Sequence, residues 1–235
     1  IYPETQIKAL DEISFSIKNQ ETLGIIGKVG AGKSSILNLI NRLYDPDLGE
    51  ILLDGHNIKN FKLEKLRGHI GNAPQNAFLF SDSIEENIRF GKWGASEKEI
   101  INASKNAAIH KNIKKFKKGY KTLLGERGLT LSGGQIQRVS IARALIKDPE
   151  ILLFDDCLSA VDTGTEEKIL KNLKDFCAKK TTIIVSHRIS TVKDADHIIV
   201  LDKGKIVEKG NHQNLLQIGG IYLDLFNKQQ NEKEY

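Results

Sequence analysis

Methionine is absent from all 235 residues, position 1 included. The expectation is therefore a chain that starts after its natural initiator, as a domain cut from a longer protein. Cysteine is scarce. Cys157 and Cys177 cannot build the disulfide framework of a small secreted scaffold, and they point to a reduced compartment. No stretch approaches the ~20 apolar residues that a bilayer crossing needs, and the expectation from the opening residues is that they do not form a secretory leader. Internal repeats and low-complexity linkers are also missing. What is present is the balance of a soluble α/β protein, 40% hydrophobic and 28% charged, long enough to bury a sizeable core. A net charge of +5 raises nucleic acid or anionic lipid as partners. The basic residues are scattered and not interleaved with aromatics, which favours a solvated surface and no nucleic acid. The lysine run from Lys111 to Lys121 is read in the same way, as a solvated helix face.

Local patterns predict alternating elements. Ile13 to Ile17 alternates as a strand, and Thr22 to Ile26 is an apolar run of the kind that forms a buried strand. Ser34 to Leu43 has helical spacing, ended by Asp45-Pro46. Glu50 to Leu53 reads as a strand closed by Asp54-Gly55, and His69 to Ala73 as another. From Ser83 to about Lys118 strand signals vanish, and Ser96 with Glu99 forms a capping-box pattern. This stretch reads as a small helical subdomain. A helix is expected over Gly134 to Ile146, a buried strand over Ile151 to Phe154 and a central strand over Thr181 to Val185. A hairpin is expected around Lys203-Gly204, then two short helices near Gln213–Leu216 and Ile221–Phe226, and a frayed tail from Lys228.

Two glycine turns carry the chemistry. Gly27-Lys28-Val29-Gly30-Ala31-Gly32-Lys33-Ser34 follows a strand and precedes a helix, the context of a P-loop. Its glycines let backbone N–H groups turn inward around a phosphate, and the helix start adds a positive dipole end. Lys33 supplies a point charge to the β- and γ-phosphates, and the Ser34 hydroxyl is a Mg²⁺ ligand. Ser35 completes the nucleotide set. The strand Ile151 to Phe154 presents Asp155 at its C-terminal end, where an open parallel sheet places ligand groups. Asp155 is assigned to Mg²⁺. Alone, these features describe a hydrolase of ATP or GTP. Leu131-Ser132-Gly133-Gly134-Gln135 is a second glycine turn opening a helix. Ser132 and the amides of Gly133 and Gly134 can embrace a γ-phosphate, while the plain alternative for Ser132 is a helix N-cap.

Together these strings resemble the ATP-binding cassette family, in its exporter branch, over nearly the whole chain. The resemblance implies a P-loop NTPase mixed-sheet core with an antiparallel β edge and an inserted α-helical subdomain. Residues 1–82 and 121–235 would form the core and 83–120 the helical part. It further implies that Tyr2 stacks on adenine, the other reading being an ordinary strand residue. Gln75 matches the Q-loop glutamine, in contact with Mg²⁺ and water. Ser159-Ala160-Val161-Asp162 matches the D-loop, with Asp162 crossing to another subunit. His187 matches the switch histidine at the γ-phosphate. Gly125-Glu126-Arg127-Gly128, Phe78-Leu79-Phe80-Ser81 and Ile84 to Asn87 resemble exporter segments, the latter two docking a helix of the membrane domain.

In the family, the Ser132–Gln135 signature grips the nucleotide of a partner cassette. The implied cofactors are ATP and Mg²⁺. The implied partners are a second nucleotide-binding domain and a transmembrane domain outside this chain, at the cytoplasmic face of a bacterial membrane. The sequence departs from the family at Asp156, where a catalytic Glu is usual. Asp is one methylene shorter, and a ~1 Å misplacement can cost on the order of a hundredfold in rate. The expectation is the degenerate-site half of a heterodimeric exporter, against a homodimer that tolerates Asp. The alternative class is a soluble cassette ATPase acting on DNA or ribosomes. The short interval between the two glycine turns, without sustained heptads, and the single cassette disfavour it. Cys157 reads as an inert packing residue, and His56, His69, His110, His197 and His212 lack metal-ligand spacing.

Overall fold

A computed structural model describes residues 1–2, 5–125 and 131–231. In chain order, β1 (Thr22–Gly27) leads into α1 (Lys33–Ile40). β2 (Leu52–Leu53) and β3 (His56–Asn57) form a small antiparallel hairpin around Asp54-Gly55. Next come α2 (Leu63–Gly68), β4 (Ile70–Ala73), α3 (Ile84–Arg89), α4 (Glu97–Asn106) and α5 (His110–Ile113). α6 (Gly133–Leu145), β5 (Ile151–Asp155) and α7 (Thr163–Cys177) follow. β6 (Thr181–Val185), α8 (Ile189–Val192), β7 (His197–Asp202), β8 (Lys205–Gly210), α9 (His212–Ile218) and α10 (Ile221–Asn231) complete the order.

The chain divides into two compact units, residues 1–70 with 181–235, and residues 71–180. In the first unit the strands lie side by side as β6-β1-β7-β8. β1 is parallel to both β6 and β7, and β8 returns antiparallel to β7 as the expected antiparallel edge. β1 is apolar along its length because both faces are covered. Its Leu23, Ile25 and Ile26 are fully buried. Ile26 joins Ile189, Val192, Ile198, Val200, Leu215 and Tyr222 in one core cluster, against which Leu225 and Phe226 of α10 pack.

In the second unit β4 lies beside β5, and α3, α4, α6 and α7 form the helical packing. The Ser96–Glu99 capping box is present in full at the start of α4. α6 begins within one residue of its expected start and buries Val139, Ile141, Ala142 and Leu145.

Three expectations change. Ile13 to Ile17 joins no ladder: Ile13 and Ile17 are half-buried and the residues between them exposed, so the alternation marks an extended segment lying on the unit without strand pairing. The strand expected from Glu50 is regular only over Leu52–Leu53, paired with His56–Asn57, and one further backbone bond, from Ile58 N–H to the Ile51 carbonyl at 2.9 Å, extends the pairing. The chain is helical through Asn231, past the expected fraying point at Lys228. Glu126, Arg127 and Gly128, and the tail beyond Asn231, lie outside the described residues.

Candidate functional site

In the first unit, β1 delivers the chain to the P-loop. At Gly27 and Gly32 a Cβ atom would stand 2.2 Å from the carbonyl oxygen of Leu201 and 2.5 Å from that of Ala9. Gly32 also sits at φ 97°, a left-handed conformation that residues with a Cβ rarely adopt. The loop can only take this path because these positions lack side chains. Gly30 has open space at its Cβ position, and Val29 is 96% exposed at the tip. Lys28 is exposed beside it. Ala31 is buried, and its carbonyl accepts a hydrogen bond from Gly204 N–H at the β7–β8 turn, 3.1 Å away. The hairpin thus props the loop from behind.

Lys33 donates from Nζ to the carbonyls of Gly27 and Lys28, at 2.8 Å and 2.9 Å. The ammonium is folded back over its own loop, where an anionic oxygen can share it. The Ser34 and Ser35 side chains lie in the first turn of α1, and the Ser35 hydroxyl hydrogen-bonds the Tyr2 hydroxyl at 2.8 Å. Tyr2 meets Tyr44 edge-on, ring centroids 5.6 Å apart. The structure therefore ties Tyr2 to the P-loop helix.

His187 follows β6 and is exposed. The parallel register Ile25↔Val185 brings the ends of β1 and β6 level. Gly27 and His187, each two residues further on, accordingly leave the sheet at the same edge. Gly27 starts a phosphate-type loop, and His187 stands one strand over.

In the second unit, β4 and β5 carry Gln75 and the two acids out at one end. Asp155 and Asp156 are half-buried. Gln75 donates from Nε2 to Asp156 Oδ2 at 3.3 Å. A carboxylate only accepts, so the amide nitrogen must face it and the Gln75 carbonyl oxygen is turned the other way. Asp156 itself has φ 44°, a conformation that Asp tolerates better than longer side chains. Cys157 is buried behind the acids. Burial pushes its thiol up, with Asp156 and Asp155 adding to the effect, so it is not a nucleophile.

Ser132 is the N-cap of α6. Its Oγ accepts from Gln135 N–H, and Gln135 Oε1 accepts from Ser132 N–H at 3.0 Å, a reciprocal capping box. A Cβ on Gly133 would stand 3.4 Å from Ala160 Cβ, and one on Gly134 only 2.7 Å from the Ala160 carbonyl oxygen. The glycine turn is therefore pressed against the segment Ser159–Asp162. Gln137, buried and overlooked in the sequence, ties the two together: its Nε2 donates to Ser159 Oγ and its Oε1 accepts from Ala160 N–H, both at 3.0 Å. Asp162 is exposed and caps α7, accepting from Thr165 N–H at 2.9 Å. That bond, first among several effects, holds its carboxyl below the usual range.

Among the described residues, no group of three or more His, Cys, Asp or Glu side chains converges on a metal-sized point. The set assigned to Mg²⁺, Ser34, Gln75 and Asp155, is all oxygen, the donor type that Mg²⁺ takes with substrate phosphates completing its shell. The glycine-shaped loop and the folded-back Lys33 suit a polyphosphate.

A family model described as ABC transporter matches residues 10–159, well over half of the chain. The chain belongs to the ABC transporter family. It is a nucleotide-binding, ATPase-type domain of that family, with the mixed α/β fold of its exporters. ABC transporter B family member 24, mitochondrial, of Arabidopsis thaliana is 46% identical over 227 residues, covering 97% of this chain and 33% of the relative. Human ATP-binding cassette sub-family B member 6 is 46% identical over 227 residues, covering 97% and 27%. The ABC transporter ATP-binding protein YfiB of Bacillus subtilis is 46% identical over 228 residues, covering 97% and 39%. A solved bacterial Atm1-family ABC exporter with ATP bound superposes with a TM-score of 0.92 at 45% identity, covering 94% of this chain and 39% of that one. The cassette thus spans roughly a third of each relative's length. No helix among its described residues is long and apolar enough to cross a membrane.

Proposed function

We propose that this cassette binds and hydrolyses ATP as the motor domain of an ABC exporter, closing face to face with a second cassette around the nucleotide. In this reading the P-loop, residues Gly27 to Ser35, holds the phosphates and Tyr2 offers its ring to the adenine. Ser34, Gln75 and Asp155 hold Mg²⁺, which when bound neutralises charge building on the phosphate oxygens. Asp156 orients and polarises the attacking water, and His187 donates toward the γ-phosphate. Ser132 with Gly133 and Gly134, stiffened by the capping box and by Gln137, grips the triphosphate of the opposite cassette, and Asp162 crosses to it. The segment from Phe78 to Asn87 receives a helix from the membrane domain, which selects the cargo.

The observation that best supports the reading is the level register of β1 and β6. It sends a phosphate loop and a histidine out of one sheet edge, the placement that a γ-phosphate contact needs. Asp156 makes the domain's own site the slow one, so the preferred partner is a different cassette with Glu at that place. The degenerate site also explains why an intact signature is kept: it serves the partner's nucleotide.

The test compares wild type with Lys33→Ala and Ser132→Arg, by ATP affinity and by sedimentation with ATP and Mg²⁺. Lys33→Ala is expected to lose ATP affinity by tenfold or more, the order of one strong charge-assisted contact. Ser132→Arg should keep that affinity and lose nucleotide-dependent pairing with a cassette. Equal ATP affinity in wild type and Lys33→Ala overturns the binding site. Pairing that ignores Ser132→Arg overturns the sandwich.

A further inference from the structure

The peptide groups around His187 are held from two sides. Arg188 is extended, φ −98° and ψ 127°. In extended backbone, the carbonyl of the preceding residue and the N–H of the following one point to one side, and the residue's own N–H points to the other. On that other side, Arg188 N–H donates to Ser186 Oγ at 3.0 Å, while Ser186 N–H is itself bound to the Ile25 carbonyl of β1 at 3.1 Å. On the first side stands Gln229 of α10. Its Nε2 donates to the His187 carbonyl at 2.6 Å, and its Oε1 accepts from Ile189 N–H at 2.8 Å. A side-chain amide presents one acceptor and two donors, so it can satisfy this pair as a neighbouring strand would. The Ile189 bond also takes up the first unpaired N–H of α8.

The clamp sits on a fixed base. Both carboxylate oxygens of Glu208 accept from the first two amides of α10, Ile221 and Tyr222. Tyr222 is fully buried, with its hydroxyl on His212 Nδ1 at 2.7 Å. Phe226 and Leu225 then pack on the core cluster that contains Ile189 and Val192 of α8. A rigid helix thus carries Gln229 to the backbone that aims the His187 side chain.

We infer that Gln229 is a positioning residue for His187, making the C-terminal helix part of the hydrolytic apparatus. The inference rests on the proposed role of His187 in hydrolysis. Gln229 touches no substrate; it fixes the backbone from which the imidazole is hung. Loss of the clamp frees the His187–Ile189 segment and misplaces the ring, with the nucleotide grip of the P-loop unchanged.

The experiment uses this chain with Gln229→Ala, Gln229→Glu and the exposed neighbour Gln230→Ala as control. In Gln229→Ala the Ile189 amide is expected to exchange with deuterium about threefold to tenfold faster, the loss of one hydrogen bond. ATP turnover should show kcat down by about tenfold or more with KM for ATP within about twofold, since a ~1 Å error in a reacting group is costly in kcat. Gln229→Glu keeps the acceptor for Ile189 and loses the donor to His187, so Ile189 protection is retained while kcat still falls. Gln230→Ala should match wild type in every readout. Unchanged Ile189 exchange in Gln229→Ala shows that the clamp does not exist in solution and overturns the inference. So does a raised KM with kcat intact. If wild type hydrolyses no ATP, alone or beside a partner cassette, the functional reading fails instead, and the Ile189 exchange still decides the clamp.

Discussion

Gln75 hands a side-chain N–H to Asp156 across 3.3 Å, joining the loop after β4 to the loop after β5. The two strands are neighbours in the sheet, the contact brings together the loops that follow them, and the amide orients the carboxylate proposed to polarise the attacking water. The contact is neutral-to-charged and long for its type.

Asp156→Glu should therefore move two readouts in opposite directions. The extra methylene carries the carboxylate further out, and phosphate release is expected to rise on the order of tenfold to a hundredfold. Stability should fall by about 1 kcal/mol, because φ 44° suits Asp better than Glu. Steady-state turnover and thermal melting check the pair. A natural protein already as fast as the Glu variant removes the slow-site argument.

Gly134→Ala tests the close approach of the signature to Ser159–Asp162. The new Cβ would lie 2.7 Å from the Ala160 carbonyl, a backbone atom with no rotamer in which to retreat. A cost of about 1–3 kcal/mol is expected in urea unfolding, with loss of the Gln137 bonds to Ser159 and Ala160. Affinity of the chain for ATP at its own P-loop should not change.

These two cases show what could and could not be read from the chain. The P-loop, the buried runs of β1 and β5 and the Ser96–Glu99 capping box are local patterns, and local patterns survive folding. The alternation of Ile13 to Ile17 is equally local, yet a strand needs a partner, and partners are tertiary. α7 carried a usable signal: Asp162 as N-cap, then Ile169, Leu173 and Phe176 at helical spacing, with Ile169 and Leu173 buried. Gln137 and Gln229 had no signal. Each is an ordinary polar residue on a helix, and its meaning lies in backbone groups 23 and 42 positions away.

Arg143 is a third residue of that kind. From α6 it reaches the Asn87 and Phe78 carbonyls at 2.7 Å and 2.8 Å, and Asn87 Oδ1 at 2.9 Å. Its guanidinium also lies 5.5 Å and 5.6 Å from the ring centres of Phe80 and Phe90. Burial pushes its pKa down to about 10, so it remains charged at neutral pH. Arg143→Lys cannot span three acceptors from one point and should lose about 2–3 kcal/mol. The melting midpoint would drop by roughly 4–12 °C for a domain of this size.

Acid sensitivity has a named contributor at the head of α4. The Glu99 carboxylate accepts from Lys92 Nζ at 2.6 Å, from Ser96 Oγ at 2.7 Å and from Ser96 N–H at 2.8 Å. The Lys92 bond, then the two from Ser96, lower its pKa from 4.5 to about 2. The native state therefore binds fewer protons here than the unfolded chain does between those limits. Stability from this group is complete above pH 4.5 and drains away as pH falls through about 2. The carboxyl ¹³C shift of Glu99 should titrate near 2 in wild type and move toward the ordinary range in Ser96→Ala. Glu99→Gln should flatten the acid limb of the melting curve in that window, because an amide has no proton to gain. A Glu99 carbon that titrates near 4.5 in the folded protein would show that the box and the Lys92 pair are open in solution.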